Sequence, residues 1–125
     1  MKQPFALVIE DDADLSTIFA AALHAAEFDT EIVSDGSSAI ERLSASQPAL
    51  VVLDLHLPNT SGKDILAHIC ANDRLADTRV ILATADALLA ESLRGDADLV
   101  LLKPISFHQL RDLASRLRPR RGELL

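Results

Sequence analysis

Four short apolar runs, each ending abruptly in a charged or hydroxyl-bearing residue, constrain this chain more than any other feature. Phe5-Ala6-Leu7-Val8-Ile9 runs into Glu10-Asp11-Asp12, Leu50-Val51-Val52-Leu53 into Asp54, Val80-Ile81-Leu82-Ala83 into Thr84, and Leu99-Val100-Leu101-Leu102 into Lys103-Pro104. Runs of this length, without polar alternation and bounded by turn residues such as Gln47-Pro48 and Pro58-Asn59, read as strands buried on both faces. Strands of that kind belong to parallel sheets covered by helices on both sides, where ligands bind at the carboxyl ends of the strands. Three acidic groups, a hydroxyl and an ammonium then meet on one rim around Asp54.

Helical periodicity fills the intervals. Leu15, Ile18, Phe19, Ala22, Leu23 and Ala26 predict one apolar helix face, with Asp12 or Asp14 placed to cap its start. Thr30-Glu31-Ile32-Val33 alternates weakly, as an edge strand does. Asp35-Gly36-Ser37-Ser38 predicts a turn and cap opening a short helix with Ala39, Ile40 and Leu43 inward. Ile65, Leu66, Ile69 and Cys70 mark a helix running to Asn72-Asp73, and a weaker one covers Ala87 to Arg94 before Gly95-Asp96. A last helix turns Leu110, Leu113, Ala114 and Leu117 inward. Strand and helix alternate throughout, which predicts an α/β domain with a parallel sheet, right-handed crossovers, and the most apolar strands at its centre.

At 125 residues the chain fits one domain, burying about two-thirds of its unfolded surface. We place that domain at residues 3–118. Residues 119–125 form a basic tail, Pro119-Arg120-Arg121 with Gly122 to Leu125, that reads as a solvated end or as a truncated linker. Hydrophobic residues make up 49% of the chain, which argues against disorder. A net charge of -7, with no Trp, no Tyr and four Phe, disfavours direct nucleic-acid binding and base stacking. No apolar run approaches membrane-spanning length, so no membrane contact is expected. The single Cys70 rules out an internal disulfide and, with no signal peptide, fits a reducing cytoplasmic setting.

The strand-end groups have complementary chemistry. Glu10 and Asp11 cannot both ionise cheaply beside Asp54 without a cation. Carboxylates with a backbone oxygen and water suit a hard ion, and an octahedral site that keeps several waters suits Mg²⁺. Lys103 offers a point positive charge and Thr84 a hydroxyl donor for the oxygens of a phosphoryl group. Asp54 is then the carboxylate left free to attack as a nucleophile. Each residue alone has a duller explanation as a cap, a turn or ordinary strand propensity; the weight lies in four strand ends that complement one another.

The acidic pair Glu10-Asp11, the segment L-D-x-x-L-P-x-x-x-G from Leu53 to Gly62, Thr84-Ala85 and Lys103-Pro104 occur in order, almost end to end. This pattern resembles the CheY-like receiver domain of two-component response regulators. The resemblance implies a flavodoxin-like fold, five parallel strands in the order 2-1-3-4-5 with five helices. It implies Asp54 as phosphoacceptor, Asp11 as the main metal-binding acid with Glu10 acting largely through water, and the backbone carbonyl of His56 as a further Mg²⁺ ligand. Lys103 and Thr84 would serve the phosphoryl group, and the Lys103-Pro104 bond is expected to be cis. The phosphoryl group would come from a sensor histidine kinase or a His-phosphotransfer protein, in a reaction catalysed by the receiver's own site. A face made by the fourth helix, fifth strand and fifth helix, including Thr84, Ala85, Val100, Pro104 and Phe107, would then switch and meet a downstream protein or a second copy of the chain.

One departure concerns that switch: many receivers carry Tyr or Phe three residues before the lysine, where this chain has Val100. Val100 is expected to be plain core, and Phe107 a core, partner or dimer residue. His56 and Asp86 are expected to face each other across the mouth of the site, either paired there to screen the phosphoryl group or standing as two independent solvated side chains. His24, His68 and His108 show no metal-ligand spacing and read as surface or boundary residues. The alternatives are a degenerate receiver acting as a phosphorylation-independent interaction module, and a haloacid-dehalogenase-like phosphohydrolase. The second usually shows D-x-D at its nucleophile, where this chain has Asp54-Leu55-His56. A flavodoxin proper is disfavoured, because no Ser/Thr/Gly-rich phosphate cradle follows the first strand.

Overall fold

The computed structural model describes residues 3–119. The strands β1 (Phe5–Ile9), β2 (Asp29–Val33), β3 (Leu50–Asp54), β4 (Arg79–Thr84) and β5 (Leu99–Leu102) form one sheet in the order β2-β1-β3-β4-β5. Every neighbouring pair runs parallel. Between and after them lie α1 (Ala13–Ala25), α2 (Gly36–Ala45), α3 (Gly62–Ala71), α4 (Ala87–Leu93) and α5 (Phe107–Leu117). This is the flavodoxin-like fold expected from the sequence, with the weakly alternating strand at the margin.

The continuous apolar runs are explained by two cores, one on each face of the sheet. Ala6, Val8, Leu50, Val52, Ile81, Ala83 and Leu101 pack with Phe19 and Leu23 of α1 and with Leu110 and Ala114 of α5. Their alternating neighbours Leu7, Ile9, Val51, Leu53, Val80 and Leu82 pack with Leu43 of α2, Ile65 and Ile69 of α3, and Leu93 of α4. Each large apolar side chain so buried contributes about 1.5–3 kcal/mol, which leaves the strand ends free for other chemistry.

Side chains fix where each helix begins. Asp12, Asp35, Ser61, Asp86 and Ser106 accept N–H bonds from the first turns of α1 to α5 in that order, each cap being worth about 1 kcal/mol. Beyond α1, Glu27 takes φ 70° and turns the chain into β2. Two short 3₁₀ turns, Asp73–Leu75 and Arg94–Asp96, were not visible in the sequence pattern.

Two residues expected in apolar faces lie outside them: Ile18 on α1 is 41% exposed and Cys70 on α3 is exposed. Both sit on the flank of their helix, about 80–90° from the centre of the buried face. The remaining inward positions hold, with Ile40, Leu113 and Leu117 half-buried against the cores. Pro119 follows α5, and residues 120–125, the rest of the basic tail, lie outside the described residues.

The β3–α3 connection is tightly held. A Cβ on Gly62 would stand 2.5 Å from Leu55 Cα, and one on Gly36 would stand 2.2 Å from Thr60 Cβ. Glycine is therefore required at both close approaches. The loop is closed by a bridge between His56 and Ser61 and by the Gly62 N–H on the Leu55 carbonyl at 3.2 Å. Asn59 takes the left-handed conformation at φ 65°.

Candidate functional site

Parallel register brings the strand ends to one rim. Asp54 is the last residue of β3, Thr84 the last of β4, Glu10 and Asp11 follow β1, and Lys103 follows β5. Glu10 is 2%, Asp54 3% and Thr84 0% exposed, whereas Asp11 is open to solvent. Glu10, Asp11 and Asp54 each present a carboxylate oxygen, all within 4.8 Å of one another. An all-oxygen set of this charge, two buried and one exposed, fits a hard divalent cation.

Lys103 ties the cluster together. Its Nζ donates to Glu10 Oε1 at 2.8 Å and lies 3.5 Å from Asp54 Oδ1. Backbone N–H groups help: His56 donates to Asp54 Oδ1 at 3.1 Å, and Asp12 to Glu10 Oε2 at 3.3 Å. One ammonium cannot neutralise three carboxylates. Burial raises the Glu10 pKa to about 7 from 4.5; the Asp54 charge adds to the rise, and the hydrogen bond from Lys103 opposes it. Burial alone would lower the Lys103 pKa, but the hydrogen bond to Glu10 and the charges of Asp54 and Glu10 outweigh it, and the net direction is up. The ammonium stays charged.

The Thr84 hydroxyl sits beside this cluster. It accepts the Asp86 N–H at 3.0 Å and lies 3.2 Å from His56 Nε2. The expected His56–Asp86 pair is thus corrected. The imidazole meets Thr84, and the Asp86 carboxylate is occupied capping α4 through the N–H groups of Leu88 at 3.1 Å and Leu89 at 3.0 Å. An Asp just before Ala-Leu-Leu-Ala is an N-cap signal, and it would have revealed this role.

The residues of the expected switch face are dispersed around β5. Ala85 and Pro104 are exposed, while Val100 is half-buried against the α2–α4 core. Phe107 is half-buried against the α1/α5 core, with the Arg111 guanidinium 5.9 Å over its ring. Leu88 on α4, 85% exposed, and Leu102 on β5, 49% exposed, add apolar surface that the sequence pattern had placed inside or passed over. The Lys103-Pro104 bond is cis. No helix among the described residues is long and apolar enough to cross a membrane.

The family model of the response regulator receiver domain matches residues 6–115. The DNA-binding response regulator MtrA of Mycolicibacterium paratuberculosis is 30% identical over 114 residues, covering 91% of this chain and 49% of MtrA. The transcriptional regulatory protein TrcR of Mycobacterium tuberculosis is 32% identical over 114 residues, covering 90% of this chain and 43% of TrcR. This chain therefore spans about half, or less, of the length of these relatives. Among solved structures, the signal receiver domain of a Luxo repressor protein from Vibrio parahaemolyticus superposes with a TM-score of 0.83 at 32% identity, covering 92% of this chain and 89% of that one. The chemotaxis response regulator CheY4 of Vibrio cholerae shares the fold, with a TM-score of 0.83 at 16% identity and coverage of 92% and 98%. With the acidic pocket of Glu10, Asp11 and Asp54 fitting a Mg²⁺-dependent aspartate-phosphorylation site, and with a parallel sheet in the order 2-1-3-4-5 around it, this chain belongs to the response regulator receiver domain family.

Proposed function

We propose that Asp54 accepts a phosphoryl group from the phosphohistidine of a sensor histidine kinase or His-phosphotransfer protein. The observation that carries this reading is Lys103 Nζ standing 2.8 Å from Glu10 and 3.5 Å from Asp54, so that a fixed positive charge borders a buried carboxylate. An Asp54 oxygen attacks phosphorus, the P–N bond breaks, and its electron pair leaves with the donor imidazole. Lys103 meets the negative charge of the transferred oxygens, and the Thr84 hydroxyl donates to one of them. Asp11 and Asp54, with Glu10 through water and the His56 backbone carbonyl, would hold Mg²⁺. When bound, that ion neutralises the carboxylates and draws in the phosphoryl oxygens. The domain catalyses only its own phosphorylation and dephosphorylation.

The domain occupies residues 3–118, with 119–125 as a basic tail or linker. Its output is the face of α4, β5 and α5: the buried Thr84 and half-buried Val100 take part in the switch from beneath, and Ala85, Pro104 and Phe107 meet a downstream protein or a second copy. The exposed Leu88 and Leu102 support that reading.

Intact-mass measurement after incubation with Mg²⁺ and acetyl phosphate tests the chemistry. We expect one added phosphoryl group, dependent on Mg²⁺ and absent in Asp54→Asn. A gain that survives Asp54→Asn would place the acceptor elsewhere.

A further inference from the structure

The contact between His56 and Thr84 has no part in the scheme above. We infer that His56 is a positioning residue that holds the single proton of the Thr84 hydroxyl in the unphosphorylated chain, and so opposes its donation to a phosphoryl oxygen. The inference rests on the function proposed for Thr84.

A hydroxyl has one proton to give and two lone pairs. Thr84 is 0% exposed, and its oxygen already accepts the Asp86 N–H at 3.0 Å. Its proton therefore needs an acceptor inside the protein, since a buried donor left unpaired is costly. Among the described residues, His56 Nε2 at 3.2 Å is the group placed to take it. Nε2 is then the bare nitrogen, and the ring proton sits on Nδ1. A ring donating from Nε2 would leave the buried hydroxyl proton with no partner.

The ring is delivered by a fixed backbone. The His56 N–H is bound to Asp54 Oδ1, His56 is bridged to Ser61, and the turn is closed at Gly62 against Leu55. Thr84 is itself anchored at the end of β4, whose Ala83 carbonyl takes the Leu55 N–H at 3.1 Å. The two side chains therefore face each other across neighbouring strand ends without searching. One proton has two claimants: His56 holds it at rest, and an oxygen on Asp54 would take it in the phosphorylated form. Removing the imidazole removes the competitor.

Beryllofluoride with Mg²⁺, a mimic of the phosphoryl group, is the probe. Its affinity is measured by titration followed through backbone amide NMR signals in four chains: the natural sequence, His56→Ala, Thr84→Val and the double variant. His56 is exposed, so its truncation leaves the core intact, and Val keeps the branched shape of Thr while removing the hydroxyl. We expect His56→Ala to tighten binding about 3- to 10-fold when Thr84 is present, the scale of one net hydrogen bond, and to leave it unchanged in Thr84→Val. Nitrogen-detected NMR of the neutral imidazole should show the proton on Nδ1. Equal effects of His56→Ala in both backgrounds, no tightening, or a proton on Nε2 would each overturn the inference while leaving the proposed function standing. If the natural sequence binds no beryllofluoride, the proposed function fails and takes the inference with it.

Discussion

Glu10 gives the fold a pH dependence of unusual sign for a carboxylate, and Glu10→Gln isolates it. The Glu10 side chain is 2% exposed in the folded chain, and its pKa stands at about 7 against an ordinary 4.5. Between those values the folded chain holds a proton that the unfolded chain has released, so folding is favoured most at low pH and less as pH rises. The contribution is fully present below about 4.5 and is lost as pH passes through about 7. At about 1.36 kcal/mol per pH unit, the loss between pH 5 and pH 7.5 comes to roughly 2 kcal/mol. The assay is urea unfolding of both chains in EDTA across that range. Gln cannot ionise, so the difference between the chains should fall by roughly 2 kcal/mol, to the disadvantage of the natural sequence, as pH rises. Other titrating groups cancel in the difference. Parallel pH profiles, or a natural chain that gains on the variant with rising pH, would refute the assignment of the buried proton to this site.

Two further outcomes follow from the geometry. Gly36→Ala forces a Cβ onto Thr60 at 2.2 Å and should cost about 1–3 kcal/mol in urea unfolding; Thr60→Gly added to the same chain should recover most of it, and no recovery would mean that the contact is not the cause. Lys103→Met leaves Glu10 and Asp54 facing each other without their cation, with an expected loss of about 3–5 kcal/mol at pH 8 in EDTA. That loss should shrink at pH 5.5, where Glu10 takes up a proton; a loss independent of pH would point instead to missing packing.

The fold was legible because both faces of the sheet are covered. Each central strand therefore announces itself as an unbroken apolar run, and each run stops where the chemistry begins. Asp54, Thr84 and Lys103 were visible as a set: singly each has a duller explanation, but Val52-Leu53, Leu82-Ala83 and Leu101-Leu102 end in groups whose chemistry is complementary. Helix faces were less sharply drawn. Ile18 and Cys70 satisfy an i, i+3 or i+4 spacing, yet they stand at the margin of a stripe whose centre lies between Phe19 and Ala26 on α1 and between Ile65 and Ile69 on α3. Spacing alone does not say how wide a stripe the sheet covers.

Contacts between side chains from different elements were hidden. Asp86 looked free to meet His56 only while its N-cap signal before Ala-Leu-Leu-Ala was left unweighed, the start of a short helix being its least sharply drawn part. Arg74, which reaches the carbonyls of Leu43 and Ser46 at the end of α2, was unreadable, since no pattern links residues so far apart in the chain.

Strand alternation gives the rim a division of its own. Glu10, Asp54 and Lys103 continue the parity of Val8, Val52 and Leu101, whose side chains face α1 and α5, whereas Thr84 continues the parity of Val80 and Leu82, which face α2 to α4. Glu10, Asp54 and Lys103 thus spring from one side of the sheet and Thr84 from the other, with Asp11 on the side of Thr84 by the same parity, and they meet above its upper border. The site is therefore a seam, drawing side chains from both faces of a single sheet.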